Sequence, residues 1–374
     1  MKAYKYFLVI SIIFCSSVSA GTSDRTKIFK VSPGGELSLS VNSGEIRLNT
    51  WDKNEVQVTV RGLYDENTSD LKIAQEQNNV RVRFNGGWSD PDELVFVVST
   101  PARYNLDLRT SSGDISLSGN VKGIVRAFTN GGDIKTGSID GNTTINTQGG
   151  DITAGNISGN AEVYTSGGDI LLGKISGTAD ISTMGGDVTV EEISKKVNIK
   201  THGGDIRVGN TGGDTELFTF GGDIIVRFAN GNCRLSTHGG DIKLDGAKGI
   251  VAAKTYGGDL RILNVTGAVE AVTSSGDITV ELYPANSNSS KIVTQNGSIL
   301  FSISEQAKAE ITANVRLIGS DHEDEEVNIN SEFKSKSHEQ NSRSIKDTFV
   351  LNGGGVKIQL ESTNYGIKIR KLIN

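Results

Sequence analysis

The chain has 374 residues, with 38 Lys and Arg against 44 Asp and Glu for a net charge of −6, and 46 glycines beside only 4 prolines. An acidic balance argues against nucleic acid, which basic stripes hold. So much glycine suits either a flexible linker or a fold with many tight corners, and the order in which the glycines fall decides between them.

Residues 1–20 read as an export signal. Lys2 and Lys5 supply a positive start, Phe7 to Cys15 a short apolar run, and Val18-Ser19-Ala20 small residues for cleavage, so the mature chain is expected to begin at Gly21. The run is shorter than the ~20 residues a transmembrane helix needs, and no other segment could span a membrane. Cys15 is not read as a lipid-bearing residue, because Phe14 is bulky where such sites take a small one. Export places the protein in the periplasm, at the cell surface or outside the cell. Such settings are oxidising, yet without Cys15 the chain keeps Cys233 alone, so no intrachain disulfide forms and stability must come from packing.

From 21 to 109 the pattern predicts irregular β coils that cap the fold. Strands alternate well over Glu55 to Val60, Asn79 to Phe84 and Leu94 to Thr100, but their spacing is uneven. Trp51 and Trp88 both lie here. Ser43-Gly44-Glu45-Ile46 reads as a degenerate first coil.

From 110 to 300 the sequence becomes regular. Gly-Gly-Asp-Ile or a near variant recurs with aspartates at 114, 133, 151, 169, 187, 205, 223, 241, 259 and 277; the first interval is 19 residues and the other eight are 18. A fixed period near 20 marks a solenoid in which each repeat is one coil. Apolar residues keep the register, as in Ile170, Leu172, Ile175, Ala179, Ile181 and Val188, and their alternation gives two or three short strands per coil with one buried face. A second set of corner glycines follows at 141, 159, 177, 213, 231, 249 and 267, broken only by Lys195. The corners are expected to need backbone angles that glycine alone adopts cheaply. A threonine stands five residues before each first Ile, from Thr110 and Thr129 through Thr183, Thr201 and Thr219 to Thr294. Parity points it inward, where its hydroxyl can bond the coil above or the turn backbone. Cys233 falls on an inward position and reads as an inert core thiol. The steps are unequal, unlike those of left-handed hexapeptide helices, which favours a right-handed parallel β-solenoid.

From 301 to 374 the pattern loosens into C-terminal coils and a cap. Residues 319–347 are polar, with Asp321, Glu323, Asp324, Glu325 and Glu326 clustered, and read as a mobile loop. Val356 to Ile373 returns to strand alternation and is expected to close the stack.

These motifs resemble the bacterial putative-adhesin family, a domain family of unknown function with repeated Ser/Gly-Gly-Asp-Ile coils. The likeness covers nearly all of the mature chain. Ser43-Gly44-Glu45-Ile46, Thr50-Trp51-Asp52 and the strand from Glu55 are similar to the family's opening. Pro101 with Leu106 to Ile115 is similar to its way into the coils, and Gly353-Gly354-Gly355 to its close. Asn364-Tyr365-Gly366-Ile367 departs from the family's final Asn-Gly-Asp-Ile, having Tyr365 inserted and no Asp. The resemblance implies a β-solenoid and an adhesin role, and brings no catalytic residue.

Three chemistries can be weighed on the residues themselves. The aspartate column could be a calcium ladder, but one acid per coil does not supply the six to eight oxygens calcium takes, and the repeat is not the Gly-Gly-x-Gly-x-Asp nonapeptide. The reading preferred is that each Asp accepts backbone N–H groups and fixes its turn; no metal or cofactor is expected. A polysaccharide-processing β-helix enzyme would need non-repeating acids converging on one face, whereas these acids repeat evenly. Only four histidines occur, and His322 and His338 fall in the polar loop. The best binding candidate is an outward stripe of Met184, His202, Phe220, His238 and Tyr256 on five successive coils, widened by Phe218. Such a stripe could stack a glycan or meet an envelope or surface protein, although aromatics also simply suit exposed strands. His202 and His238, two coils or ~9.6 Å apart, are too distant to share a zinc ion. The sequence therefore predicts an exported, non-catalytic binding scaffold, with a purely structural envelope element as the alternative.

Overall fold

The structure, a computed structural model, describes residues 18–19, 22–86, 94–285, 288–318 and 327–372. The export segment, except Val18 and Ser19, lies outside the described residues, as do Trp88, the acidic cluster 321–326 and His322. Among the described residues the chain is all β apart from one 3-10 turn at Asp65–Asp70. It divides into two compact units, Met1–Gly150 and Asp151–Asn374.

In the second unit the 18-residue register is the strand register. Ile170, Val188, Ile206, Ile224, Ile242, Leu260 and Ile278 pair in parallel down one side of the coils. Ala179, Val197, Thr215, Cys233 and Val251 do so down another. Ile170, Ile175 and Ile181 are each 1% exposed, as the alternation requires. Burying one such side chain stabilises the fold by roughly 1.5–3 kcal/mol, so the repeated inward columns form the core.

Polar columns tie one coil to the next. The buried Thr219 hydroxyl donates to the Gly204 carbonyl of the preceding coil at 2.9 Å and accepts the Gly222 N–H of its own turn at 3.3 Å. The same pair of bonds recurs at Thr183, Thr201, Thr237 and Thr255. This closeness gives the doubled glycine its reason. A Cβ on Gly222 would lie 2.2 Å from the Gly204 oxygen. In the doubled-glycine turns the need is for close approach rather than for unusual angles, which corrects the expectation there, although Gly249 at a second corner does take a positive φ of 125°. In these turns positive φ occurs only where serine takes the first place, at Gly44 (110°), Gly113 (121°) and Gly276 (151°).

The ends are not closed in chain order. In the first unit, strand Glu36–Val41 lies between Asn79–Phe84 and Asn105–Thr110, and Glu45–Trp51 lies between Val95–Pro101 and Ile115–Ser118. The first coil is thus inside, as its Ser-Gly-Glu-Ile signature implies, and the later strands lie beyond it. Antiparallel strands Glu55–Tyr64 and Leu71–Glu76 then cover the outer edges.

The second unit repeats this device. Val356–Thr363 and Ile367–Leu372 do not close the stack as expected; they insert between the coil at 290–304 and the outer strands Ala309–Arg316 and Ile329–Ser331. The edge is covered instead by an antiparallel hairpin, Ser337–Asn341 with Ser344–Leu351. Residues 327–347, read from their polarity as part of a loop, therefore carry strands. Polar composition misled because the outermost strand has little core to face and can be hydrophilic on both sides. Closing a parallel stack with short antiparallel polar strands shields its edge from further pairing.

Candidate functional site

The aspartates form a hydrogen-bonded ladder. In the second unit each Asp Oδ1 accepts the N–H of the next Asp one coil on, from Asp151 with Asp169 at 2.8 Å to Asp259 with Asp277 at 2.7 Å, and Asp277 accepts Ser298. The acid accepts backbone N–H as expected, but it belongs to the neighbouring turn rather than its own. Arg207 also reaches the Oδ2 atoms of Asp187 and Asp205 at 3.4 and 2.7 Å.

A second ladder escaped the sequence reading. At the other corner Asn160 accepts Thr178 N–H at 3.0 Å, Asp214 accepts Asn232 at 3.1 Å, and Asn232 accepts Ile250 at 3.1 Å. Its signal was an Asx residue after four of the second-corner glycines, at Asn142, Asn160, Asp214 and Asn232, obscured because Thr178 and Lys196 interrupt it. Near that break a groove of about 390 Å³ is lined by two cations, Lys196 and Arg234, and two acids, Asp214 and Glu216, with Ile250 among others.

Four of the five stripe residues stack in one column. His202, Phe220, His238 and Tyr256 stack upon one another, with centroids 5.1, 4.8 and 5.0 Å apart and planes inclined by 31°, 28° and 24°. In-register coils place one ring per rung, and backbone bonds such as Phe220 N–H to His202 carbonyl (3.3 Å) hold the rungs. Phe218 is half-buried and braces the column edge-on, 4.8 Å from Phe220 at 84° and 6.0 Å from His238 at 89°. Lys254 Nζ lies 4.9 Å from the Tyr256 ring centroid. Met184, Phe220 and Tyr256 remain 49%, 43% and 47% exposed. The rings therefore present edges to solvent, while their faces are largely occupied by one another. Each such contact contributes about 0.5–1.5 kcal/mol beyond area burial.

Cys233 is buried, and burial pushes its thiol up to about 12. His338, assigned by sequence to the loop, pairs instead with Asp347 in the terminal hairpin. Among the described residues no group of three or more His, Cys, Asp or Glu is arranged to hold a metal ion. No described helix is long and apolar enough to cross a membrane.

The sequence profile of a family described as Toastrack DUF4097 matches residues 36–230 and 194–350. No curated protein is detectably similar in sequence. Solved structures similar to the chain include a putative adhesin from Parabacteroides distasonis, with 12% identity over 74% of this chain and 96% of that one and a TM-score of 0.30. A putative adhesin from Parabacteroides merdae has 14% identity over 74% and 95%, with a TM-score of 0.29. A putative lipid binding protein from Parabacteroides distasonis has 16% identity over 75% and 95%, with a TM-score of 0.23.

Proposed function

The chain belongs to the Toastrack DUF4097 family, and from that premise we propose that it is an exported, non-catalytic binding scaffold, adhesin-like, acting at the cell surface or in the envelope. The observation that carries this reading is the exposed ladder of ring edges at His202, Phe220, His238 and Tyr256, with the exposed Met184 one coil before it. It stands out from polar columns that coil-to-coil bonding already engages. The repeated aspartates each accept a backbone N–H, which supports an architectural role rather than the convergent acid pair of a glycosidase. Partners suited to a flat row of ring edges are extended glycans or the flat face of an envelope or surface protein. Contact would be made through ring edges, the Tyr256 hydroxyl and imidazole N–H groups, since the faces are covered.

That same coverage favours a second reading, a purely structural envelope element whose rings serve only to bond coils. An array of glycans and envelope components, probed with the mature protein and with a Phe220→Ser/Tyr256→Ser variant checked by circular dichroism, separates them. The binding reading expects attachment to fall about tenfold or more in the folded variant, the scale of hot-spot loss. Undiminished attachment retires the ladder as the site. An unchanged array with lowered stability favours the structural reading.

A further inference from the structure

The hairpin that ends the second unit carries a feature that coil bonding does not explain. Its outermost strand, Ser337–Asn341, is exposed at all five residues and, among the described residues, pairs on one side only, with Ser344–Leu351. Across that pairing His338 stands opposite Asp347, and its Nδ1 donates to Asp347 Oδ1 at 2.5 Å. Asp347 is 7% exposed, lies in an inward column with Ile345 and Phe349, and is opposite Ala313 of the strand behind. A carboxylate in such a place needs a donor to offset its lost hydration. The His338 side chain is 56% exposed, so protons reach it from solvent.

We propose that the His338–Asp347 pair is a proton-operated latch, holding the terminal hairpin closed at acid pH and loosening it as the pH rises. Protonated imidazole offers Asp347 a charge-assisted bond; neutral imidazole keeps the bond in one tautomer only and without the charge. Lys336, just before the strand, is two residues from His338, and the Gln340 side chain, two residues beyond, also hydrogen-bonds it. Glu339 and Lys346 oppose each other on the other face. Glu310 and Arg316 on the strand behind, and Lys357 and Glu361 on the next, alternate outward from the buried positions.

The hydrogen bond to Asp347, and then its charge, hold His338 above its ordinary value. Because that value is raised on folding, the latch contributes fully below the ordinary ~6.5 and is lost as pH climbs through the folded value. Loosening would uncover the Ser344–Leu351 edge, an eight-residue strand able to pair with another chain.

Hydrogen exchange of the whole mature protein, read by mass spectrometry at pH 5.5 and 8.0 and scaled for intrinsic rates, tests this. Peptides over 337–351 should be protected a few-fold more at pH 5.5, while peptides over 206–229 should not differ. His338→Gln should abolish the difference. In a proton NMR titration, the His338 midpoint should lie above that of an unperturbed histidine and return to it in Asp347→Asn. Protection of 337–351 that is independent of pH overturns the proposal. So does a full pH difference that survives in His338→Gln.

Discussion

Alanine at the two glycines of a single turn should have sharply different costs. A Cβ on Gly221 would sit 3.2 Å from the Gly203 oxygen and 3.7 Å from the His202 oxygen, a tight contact relieved by a small shift. A Cβ on Gly222 would sit 2.2 Å from the Gly204 oxygen and 2.4 Å from its carbon. To restore ordinary contact the coils must part there by roughly 1 Å, against an inter-strand spacing of ~4.8 Å. The corner bonds span this gap: Thr219 to Gly204 carbonyl at 2.9 Å and Asp223 N–H to Asp205 at 2.8 Å. Stretched by that amount both exceed hydrogen-bond range, and the Gly222 N–H to Thr219 bond, already 3.3 Å, loses its alignment. At ~0.5–1.5 kcal/mol each, the three account for about 1.5–4.5 kcal/mol. Gly221→Ala should stay within about 0.5 kcal/mol, since the strain is offset by reduced freedom of the unfolded chain. Urea unfolding followed by far-ultraviolet circular dichroism measures both, with hydrogen exchange of peptides over 206–229 to register local opening in a repeat fold. Equal tolerance of the two alanines would refute the close-approach argument and return the doubled glycine to a question of backbone angles.

The other expectations rest on single columns. Thr219→Val keeps the shape but leaves the Gly204 carbonyl and Gly222 N–H without partners, and should cost about 1–3 kcal/mol in the same urea assay, with Thr219→Ser recovering most of it. Cys233, with its thiol pushed up to about 12, should resist alkylation at pH 8 in the folded protein and react on unfolding; fast native labelling would place it outside the core. The unfolded thiol ionises near ~8.5 while the folded one holds its proton. The Cys233 contribution to stability therefore falls as pH rises above that value towards about 12, and Cys233→Ala should flatten this limb of the stability profile. Thermal unfolding curves with and without a calcium chelator should coincide, because one carboxylate per coil cannot complete a calcium shell; a large loss on chelation would make the aspartate ladder a metal site.

What the sequence by itself determined is the register of the repeat and which of its positions face inward. The 18-residue period names the strand partners, since in-register parallel stacking sets each residue beside its equivalent one coil away. Parity then assigns Ile181, Thr219 and Cys233 to the interior, and all three are buried. Two kinds of feature were left to the tertiary structure. One is direction within a column: residue type put Asp205 at the turn and Phe220 on the outside. Only neighbouring coils decide that Asp205 bonds Asp223 rather than its own turn, and that Phe220 turns its face to His202 and His238. The other is order at the ends, where repetition stops. Whether Val356–Thr363 is outermost or inserted depends on which edge offers Ser290–Asn296 a partner, a non-local choice that no local pattern encodes. Polarity at Ser337–Asn341 likewise marks an exposed strand only once Ser344–Leu351 lies beside it to supply the missing hydrogen bonds.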